Sequence, residues 1–554
     1  MFNVVSRKKF FSIATLCAGL AMGLAGCAHQ SLNHQHAWAA DLGNGEYQNP
    51  ILHADYSDPD VIRVGDTYYM TASSFNSAPG LPLLTSKDMI NWELVGHAFQ
   101  QQTPLEVHAR PQHGGGVWAP TLRYHDNKFW IFYGDPDVGI YMYQAENFSG
   151  PWSEPHLLLA GKGLIDPTPL WDDDGKAYLL HAWAASRAGI SNKLTLRRMS
   201  PDARRILDEE APVVVNGDLL PEYRAMEGPK FYKRNGYYYI FAPAGGVAPG
   251  WQSVFRAKNI YGPYEDRIVL EQGNTPVNGP HQGAWVKTPH GDDWFFHFQD
   301  KGVYGRIVHL QPMRWENDWP LIGQNINSQG VGEPVARHRK PVQGFPIKVP
   351  ATSDSFDNPK LGLQWQWNAN WKADWYSLSA NPGHLRLYSQ FDEVSAEKKS
   401  LWPTASLLLQ KIPAPEFSVT TRLILNGSTT GDRAGLLVYG YHYGWIGLRK
   451  EGDKTQLVYA NCYDAMSDRA ERIRFREDVT TDSVYLRVEM REEGKAEFSF
   501  SLDGKHYRTV SGLFRADRGR WVGGKIGLFS SSDVSSDPER YGDFEFFVVN
   551  PLAD

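Results

Sequence analysis

The chain carries NPILHADYSDPDVIRVGDTYY at residues 49–69, where an acidic triplet, Asp58-Pro59-Asp60, precedes a strand-like segment with paired aromatic residues. The aromatic segment recurs, and its five copies are DTYYM (66–70), NKFWI (127–131), GKAYL (175–179), GYYYI (236–240) and DWFFH (293–297). Successive copies lie 61, 48, 61 and 57 residues apart, and each interval is long enough for about four short strands. A strand unit repeated in this way is typical of a β-propeller, and five copies predict five blades.

The repeat also predicts which side chains share the propeller axis. We take one aromatic residue of each copy as its reference position: Tyr69, Trp130, Tyr178, Tyr239 and Phe296. The residues that lie 11, 12, 12, 12 and 15 positions earlier are Asp58, Trp118, Asp166, Glu227 and His281. Because equivalent positions on the innermost strands face one central channel, we expect these five side chains to meet in one pocket.

Three carboxylates in one pocket fit glycoside hydrolysis, which needs an acid for the leaving oxygen and a second carboxylate on the opposite face. A carboxylate that activates water inverts the anomeric centre and stands about 6.5–9.5 Å from the acid, whereas a direct nucleophile stands about 5–5.5 Å away. A third carboxylate beside the acid raises the pKa of that acid and keeps it protonated. The competing class is a cell-surface protein that binds glycans without cleaving them, and binding alone does not need three acids.

Each of these features also has a structural interpretation. An isolated Asp-Pro commonly begins a turn, and an isolated histidine is commonly structural. Asp135-Pro136-Asp137 follows its aromatic strand, where a hairpin turn belongs. Residues 172–175, DDDG, hint at a calcium loop but lack its spacing and its final glutamate, so a hairpin turn is predicted there.

Composition limits the domain count and the class of partner. A chain of 554 residues predicts two domains, and 52 glycines with 35 prolines suit a turn-rich β protein. The formal net charge is −6 and no long basic run is present, so nucleic acid is excluded as the expected partner.

Residues 1–27 predict an export signal rather than part of the fold. A basic stretch at residues 7–9 precedes an apolar run that ends in LAGC at residues 24–27, which is typical of a secretory signal. LAGC resembles a bacterial lipobox, which implies cleavage before Cys27 and lipid attachment to it. The alternative is a signal without lipidation. We therefore expect an exported protein that is lipid-anchored to a bacterial membrane, at the outer membrane or the periplasmic face, through a tether at residues 28–44.

The character of the chain changes after the repeats. The propeller is predicted over residues 45–340, and KPVQGFPIKVP (340–350) forms a proline-rich linker, assigned to residues 341–351. Alternating strand-like runs over residues 352–554 predict an antiparallel, concanavalin-like β-sandwich, so the fold class is all-β. Four tryptophans open this domain, and core or interface packing is favoured for them over a sugar-stacking platform. They are Trp365, Trp367, Trp371 and Trp375.

Several long motifs carry a resemblance to a known family. They are NPIL…DPDVIRVGDTYYM, GVWAPTLRYHDNKFWIFY, GLIDPTPLWDDDGKAYLLHAW, MEGPKFYKRNGYYYIFAP, GPHQGAW and GRIVHLQPMRW. Residues 45–325 thereby resemble glycoside hydrolase family 43, and the C-terminal part resembles the sandwich of its β-xylosidase and α-L-arabinofuranosidase branch. The resemblance implies a five-bladed propeller, hydrolysis with inversion, and no cofactor for the chemistry. A structural calcium ion, present in many relatives, is a further expectation.

The resemblance also assigns roles to residues. Asp58 matches the general base, Asp166 the residue that tunes and orients the acid, and Glu227 the general acid. The chain departs from many relatives at Thr168, where they have serine, and this affects only local hydrogen bonding. The related invertases and levansucrases are rejected because this chain has Glu227-Gly228 where they have Glu-Cys.

Four further positions match residues that bind substrate. Arg306 matches the arginine that contacts the terminal sugar, while Phe75 and Trp118 match the hydrophobic walls of its subsite. His281 matches a histidine on the pocket floor, beside the calcium ion when one is bound.

The sequence thus predicts an exo-acting, inverting glycoside hydrolase. It is expected to release terminal α-L-arabinofuranose, and also β-D-xylose, from plant cell-wall hemicellulose oligosaccharides. Arabinofuranose is favoured because the motifs around Asp166 and His281 look closest to that branch. The alternatives are an enzyme that is mainly a β-D-xylosidase and a non-catalytic glycan-binding protein.

Overall fold

A computed structural model describes residues 36–552. The predicted signal peptide, the lipidation site Cys27 and the first part of the predicted tether lie outside these residues. Within them no helix is long and apolar enough to cross a membrane. The α-helices of this part of the chain are α1 Ala185–Ala188 and α2 Glu393–Lys398. The short 3-10 helices are Gly217–Leu219, Gly302–Tyr304, Ala373–Trp375, Ala465–Ser467 and Glu492–Gly494.

Strands account for most of the ordered elements, which confirms the all-β class. Five consecutive sheets each contain four strands in sequence order, paired antiparallel, so the five-bladed propeller is confirmed. The strands of this region are β1 Glu46–Gln48; blade one, β2 Asp60–Val64, β3 Thr67–Thr71, β4 Gly80–Ser86 and β5 Trp92–Phe99; blade two, β6 Trp118–His125, β7 Lys128–Asp135, β8 Gly139–Ala145 and β9 His156–Ala160; blade three, β10 Leu164–Trp171, β11 Ala177–Trp183, β12 Lys193–Met199 and β13 Val213–Asn216; blade four, β14 Lys230–Arg234, β15 Tyr237–Ala244, β16 Trp251–Ala257 and β17 Glu265–Leu270; blade five, β18 Trp285–Lys287, β19 Asp293–Asp300, β20 Arg306–Glu316 and β21 Trp319–Ile322; and β22 Arg337–Arg339.

The recurring aromatic segment forms the second strand of every blade, namely β3, β7, β11, β15 and β19. Its rings fill the wedge between neighbouring sheets. Tyr69 of blade one lies 4.8 Å from Phe129 of blade two between ring centroids, and Phe241 of blade four lies 5.8 Å from Phe295 of blade five. Because each wedge needs large apolar side chains at the same place, the aromatic period equals the blade period.

The segment before blade one closes the ring against blade five. β1 pairs with β22, and Leu52 forms a bridge with Val308. The Asn49 amide donates to the carbonyls of Leu310 and Val335 at 2.8 and 2.9 Å, and it accepts from the Leu310 N–H at 2.9 Å. One half-buried side chain thereby satisfies three backbone groups where the ring meets itself.

A buried ion cluster strengthens this closure. Lys340 pairs with Asp88 at 2.9 Å and also with Asp41, and all three side chains are at most 4% exposed. Asp41 belongs to residues 36–44, which were predicted as a tether. This segment packs on the propeller instead, where the Trp38 indole donates to the Pro50 carbonyl at 3.0 Å.

The C-terminal strands form two facing sheets of eight strands each, which confirms the sandwich. Its strands are β23 Gln366–Trp367, β24 Tyr376–Ser377, β25 Leu385–Tyr388, β26 Gln390–Phe391, β27 Leu408–Lys411, β28 Phe417–Asn426, β29 Arg433–Tyr439, β30 Tyr443–Glu451, β31 Lys454–Cys462, β32 Arg472–Val479, β33 Ser483–Arg491, β34 Lys495–Ser501, β35 Arg508–Thr509, β36 Phe514–Arg515, β37 Lys525–Ser532 and β38 Tyr541–Asn550. The sheet orders are β23-β27-β37-β29-β30-β31-β32, with β26 beside β37, and β24-β25-β38-β28-β33-β34-β35, with β36 beside β34. Pairing is antiparallel except between β26 and β37.

The tryptophan cluster lies in the sandwich core and at its junction with the propeller, as predicted. Trp365, Trp367 and Trp375 are buried in the core. The backbone of Trp367 exchanges hydrogen bonds of 2.6 and 3.2 Å with that of Ala78 in blade one. The Trp371 indole donates to the carbonyl of Gln100 at 3.2 Å. Trp367 and Trp371 therefore join the two domains through hydrogen bonds.

Both acidic turns also lie where they were predicted. Residues 172–176 connect β10 to β11, with the Asp172 N–H donating to the Lys176 carbonyl at 2.8 Å. Gly175 has φ +80° there, a value that favours glycine. Residues 136–138 connect β7 to β8.

Replacing Lys340 tests the closure cluster. Lys340→Ala leaves Asp41 and Asp88 buried without their shared cation, so we expect a loss of about 3–5 kcal/mol in the free energy of unfolding. Lys348→Ala is the matched control, because Lys348 pairs with Glu93 at an exposed site and should cost about 1 kcal/mol or less. Urea unfolding of the two variants measures the difference. Equal midpoints would show that the cluster does not hold the ring closed.

Candidate active site

The starts of the innermost strands surround one pocket of about 320 Å³. This volume lies at the small end of the range for small-molecule sites, which is roughly 300–1,000 Å³. Six of the seven residues predicted for the site line it: Asp58, Phe75, Trp118, Asp166, Glu227 and Arg306. The seventh, His281, lies behind the wall and contacts Glu227. Trp521 of the sandwich also lines the pocket and was not predicted.

Backbone geometry marks the equivalent position in each blade. One residue near the start of each innermost strand has a positive φ, and these residues are Asp58 (53°), Ala119 (36°), Asp166 (53°), Gly228 (60°) and Gln282 (43°). In the first four blades a proline follows it. Residues other than glycine rarely adopt such values, and they cluster where the surrounding structure fixes a functional site.

This geometry corrects the spacing argument. Asp58 and Asp166 occupy the positive-φ position itself, whereas Trp118, Glu227 and His281 each lie one residue earlier. The spacing to the aromatic reference residues had predicted equivalent positions for all five axial residues. The count failed because it includes the intervening hairpin, whose length varies: two residues between β2 and β3, but five between β18 and β19.

Hydrogen-bond donors surround the Asp58 carboxylate. Arg306 Nη1 lies 2.8 and 3.1 Å from its two oxygens. The hydroxyls of Ser73 and Ser57 donate to Oδ2 at 2.6 and 2.8 Å. Charge-assisted bonds of this kind stabilise the anionic form and fix its orientation. Asp58 is therefore a buried, oriented carboxylate anion.

Asp166 has the same backbone conformation but a different environment. Burial, followed by the negative charge of Glu227, raises the pKa of Asp166 to about 8. The Gly228 N–H, which donates to Asp166 Oδ2 at 2.7 Å, opposes this shift only in part. At neutral pH the Asp166–Glu227 pair therefore retains a proton. The two carboxyl groups interact, and the role predicted for Asp166, to tune and orient the acid, stays a prediction.

Among the residues that the structure describes, His281 lies beside Glu227 and not within a cluster of carboxylates. Its side chain is fully buried, with Nε2 3.2 Å from Glu227 Oε1 and Nδ1 without a hydrogen-bond partner in the described part of the chain. Within residues 36–552 no group of three or more His, Cys, Asp or Glu side chains could hold a metal ion. Calcium takes six to eight oxygen ligands, which these side chains alone do not provide, so the ion expected beside His281 stays a prediction and no chemical step is assigned to a metal.

Three aromatic side chains form the apolar walls of the pocket. The Phe75 and Trp118 ring centroids lie 6.3 Å apart, and those of Trp118 and Trp521 lie 6.5 Å apart at 71°. Trp521 belongs to the run RGRWVGG at residues 518–524. Three glycines around one tryptophan in a loop were a signal that the sequence analysis missed.

Asp55 connects this loop to the carboxylates. Its Oδ2 accepts from the Gly523 N–H and its Oδ1 from the Arg306 N–H, both at 2.8 Å. The backbones approach closely here, since a Cβ placed on Gly523 would lie 2.7 Å from the nitrogen of Gly305. Arg306 in turn binds Asp58. The sandwich therefore supplies part of the pocket wall and also helps to position the arginine.

Comparisons with known proteins cover both domains. A family model described as glycosyl hydrolases family 43 matches residues 47–320, and one described as the beta xylosidase C-terminal concanavalin A-like domain matches residues 353–550. A putative beta-xylosidase of Xylanibacter ruminicola is 39% identical over 89% of this chain and 87% of its own length. A non-reducing end alpha-L-arabinofuranosidase of Bacteroides ovatus is 27% identical over 92% of this chain and 96% of its own.

A solved structure shares the fold over the same range. The xylan beta-1,4-xylosidase from Bacillus halodurans superposes with a TM-score of 0.79, at 24% identity, over 91% of this chain and 99% of its own. At this identity the likeness establishes the two-domain fold and carries no further conclusion.

The environment of Asp166 predicts a pH-dependent stability. Because its folded-state pKa is raised to about 8, its stabilising contribution is present at low pH and is lost as the pH rises towards 8. Asp166→Asn removes this dependence. We expect its unfolding free energy, relative to wild type, to rise by up to about 1.4 kcal/mol per pH unit between pH 5 and pH 8. Urea unfolding across this range measures the difference.

Asp66→Asn is the matched control for that experiment. Asp66 is 81% exposed, and its hydrogen bond with Lys87 places its pKa below the usual value. The difference in unfolding free energy between Asp66→Asn and wild type should stay constant between pH 5 and pH 8. A flat difference for Asp166→Asn as well would contradict the proposed protonation of the pair.

Proposed function

The chain belongs to glycoside hydrolase family 43, and on that premise we propose that it removes single pentose units from the non-reducing ends of xylan or arabinan oligosaccharides, with inversion. It is a glycoside hydrolase, so the glycan-binding alternative is set aside. The observation that carries the proposal is the contrast between Asp58, which is held as an anion, and the Asp166–Glu227 pair, which retains a proton. Hydrolysis with inversion needs one base and one acid at the same sugar.

Glu227 is the proposed general acid. Both carboxyls line the pocket, but the side chain of Glu227 is 31% exposed, whereas Asp166 is buried. Glu227 transfers a proton to the glycosidic oxygen as the bond from that oxygen to the anomeric carbon breaks. Asp166 contacts no substrate in this scheme. It shares its proton with Glu227 and keeps the pair protonated near neutral pH.

Asp58 is the proposed general base. It accepts a proton from a water molecule whose oxygen bonds to the anomeric carbon from the opposite face. The reaction leaves Asp58 protonated and Glu227 ionised, and exchange with solvent restores both. Arg306 holds Asp58 in place, and by resemblance it also contacts the terminal sugar.

The shape of the pocket supports exo attack. Trp521 closes the side that faces the sandwich, and Phe75 and Trp118 form the other apolar walls. A pocket of about 320 Å³ suits one terminal sugar better than a continuous chain. Hydrolysis of terminal units therefore fits this geometry better than cleavage within a polymer.

The identity of the pentose is the second part of the proposal. The sequence motifs favoured α-L-arabinofuranose. The 39% identical relative is named a putative beta-xylosidase, whereas the 27% identical one is named an arabinofuranosidase, so β-D-xylose is at least as well supported. We therefore propose β-D-xylose as a substrate and α-L-arabinofuranose as the second candidate. One small pocket can accept either pentose, because the two sugars present similar hydroxyls.

Export is proposed on the sequence alone. The basic, apolar and LAGC segments of residues 1–27 support secretion and lipid attachment at Cys27. Such an attachment would hold the enzyme at a bacterial membrane while it acts on plant hemicellulose fragments.

Paired substrates test the acid and the base separately. We expect Glu227→Gln to lower the hydrolysis of a pentose disaccharide by about 10²–10⁴-fold, and to lower that of a 4-nitrophenyl pentoside less, because nitrophenolate leaves without a proton. Asp58→Asn should lower both rates, since the water that Asp58 activates attacks the anomeric carbon in the same step in which either leaving group departs. Initial rates on xylosides and arabinofuranosides, measured side by side, also identify the preferred sugar.

Asp174→Asn is the control, because this carboxylate lies in an exposed hairpin turn. It should hydrolyse every substrate at the wild-type rate. If Glu227→Gln lowered the rates on the disaccharide and the aryl glycoside equally, Glu227 would not be the general acid. If wild type hydrolysed neither pentoside, the proposed substrate class would be wrong.

The protonated pair predicts the alkaline limit of activity. Asp166 has a raised pKa of about 8, so the pair loses its proton as the pH rises through that value, and kcat/KM for the disaccharide should fall above it. In Asp166→Asn the remaining carboxyl no longer shares a proton with a second one. The alkaline limb should therefore move to lower pH. If the alkaline fall of kcat/KM in Asp166→Asn occurred at the wild-type pH, deprotonation of the Asp166–Glu227 pair would not be its cause.

A further inference from the structure

A second pocket adjoins the first at the junction of the domains. Its volume is about 260 Å³, and its walls are residues 300–306 of the propeller, residues 518–522 of the sandwich, and Tyr441. Arg306 and Trp521 line both pockets. If the first pocket holds the terminal sugar, the second is the adjoining space in which the departing sugar can lie.

The second pocket has an excess of positive charge. Its lining contains Arg306, Arg518 and Arg520 but only one carboxylate, Asp300. Arg306 is paired with Asp58 at 2.8 Å, and Arg518 lies 3.5 Å from Asp300. Arg520 has no carboxylate within 4.0 Å anywhere in residues 36–552. The neighbouring first pocket adds one negative charge, because Arg306 offsets Asp58 while the Asp166–Glu227 pair, with one proton, carries a single charge. Neither carboxyl of that pair lies within 4.0 Å of Arg520, so the excess of positive charge is local to the second pocket.

The Arg520 guanidinium, which has no carboxylate partner among the described residues and interacts with the Tyr441 side chain, is held in place before a ligand arrives. The Arg520 stem packs on Gly114, where a Cβ would lie 2.2 Å from Arg520 Cγ, and its guanidinium carbon lies 5.6 Å from the Trp521 ring centroid. The loop itself is fixed by hydrogen bonds from the Gly519 N–H to the Val522 carbonyl at 2.9 Å and from the Tyr441 N–H to the Arg518 carbonyl at 2.8 Å. Preorganised donors lose little entropy on binding.

We propose that the second pocket binds the departing sugar and favours one that carries a carboxylate, a uronic acid. A guanidinium binds a carboxylate through two parallel hydrogen bonds with charge assistance. A neutral sugar would also accept hydrogen bonds from Arg520 but would leave its charge uncompensated. This inference rests on the proposed function, since it assigns the second pocket to the leaving group of the same reaction.

Two substrates that differ in one group test the inference. One is the pentoside of glucuronic acid, and the other is the pentoside of glucuronamide, which has the same size but no charge. With the full-length enzyme at low salt, we expect kcat/KM to be about tenfold or more higher for the acid, as a hydrogen bond to a charged partner allows. The ratio should approach one in Arg520→Gln and at high salt.

Arg515→Gln is the matched control, because Arg515 is an exposed arginine of the same domain, outside both pockets. It should keep the wild-type ratio. A wild-type ratio near one, or a ratio that Arg520→Gln leaves unchanged, would overturn the inference.

Turnover of a 4-nitrophenyl pentoside separates this inference from the proposed function. If that substrate is hydrolysed, the acid-to-amide ratio alone decides the inference. If no pentoside is hydrolysed, the proposed function fails, and calorimetry with methyl β-glucuronoside and methyl β-glucoside decides whether the pocket selects a carboxylate. Selective binding of the glucuronoside that is lost in Arg520→Gln supports the inferred selection of a carboxylate, whereas equal binding of both glycosides overturns it.

Discussion

The site depends on one buried carboxylate that is not among the three proposed for the chemistry. Asp55 accepts one backbone N–H from Gly523 of the sandwich and one from Arg306 of the propeller, and Arg306 then binds Asp58. A buried acceptor that loses a donor costs about 1–3 kcal/mol or more. The docking of the sandwich and the position of Asp58 are therefore coupled through two hydrogen bonds, and the second domain is part of the site.

The two aspartates of the pocket show how environment separates identical residues. Asp58 and Asp166 both precede a proline, and both have φ 53°. Asp58 receives donors from Arg306, Ser57 and Ser73, whereas Asp166 is buried beside Glu227. Donors favour the anion, and burial with a neighbouring negative charge favours the neutral acid. A base and a protonated pair therefore arise at equivalent positions of one repeated scaffold.

The features that the repeat determines could be predicted from the sequence. The aromatic period predicted five blades because each wedge needs its own rings. The spacing before each aromatic segment also placed the three acids together at the axis, although the residue equivalent to Asp58 and Asp166 in blade four is Gly228 and not Glu227. The glycine-rich sequence around Trp521 was a signal for a functional loop, but the contacts of Trp521 and Asp55 could not be predicted, because they depend on how the sandwich docks. The choice between two pentoses also depends on pocket shape, which no spacing of acids determines.

The architecture divides chemistry from selection. The three carboxylates lie on the propeller, at or just before the innermost strands, while Arg518, Arg520 and Trp521 lie on a single loop of the sandwich. That loop touches both pockets without supplying an acid or a base. Its sequence can therefore vary, and change which sugar is held or released, while the proton transfers stay the same. Gly523 is restricted, because its close approach to Gly305 keeps the hydrogen bond to Asp55.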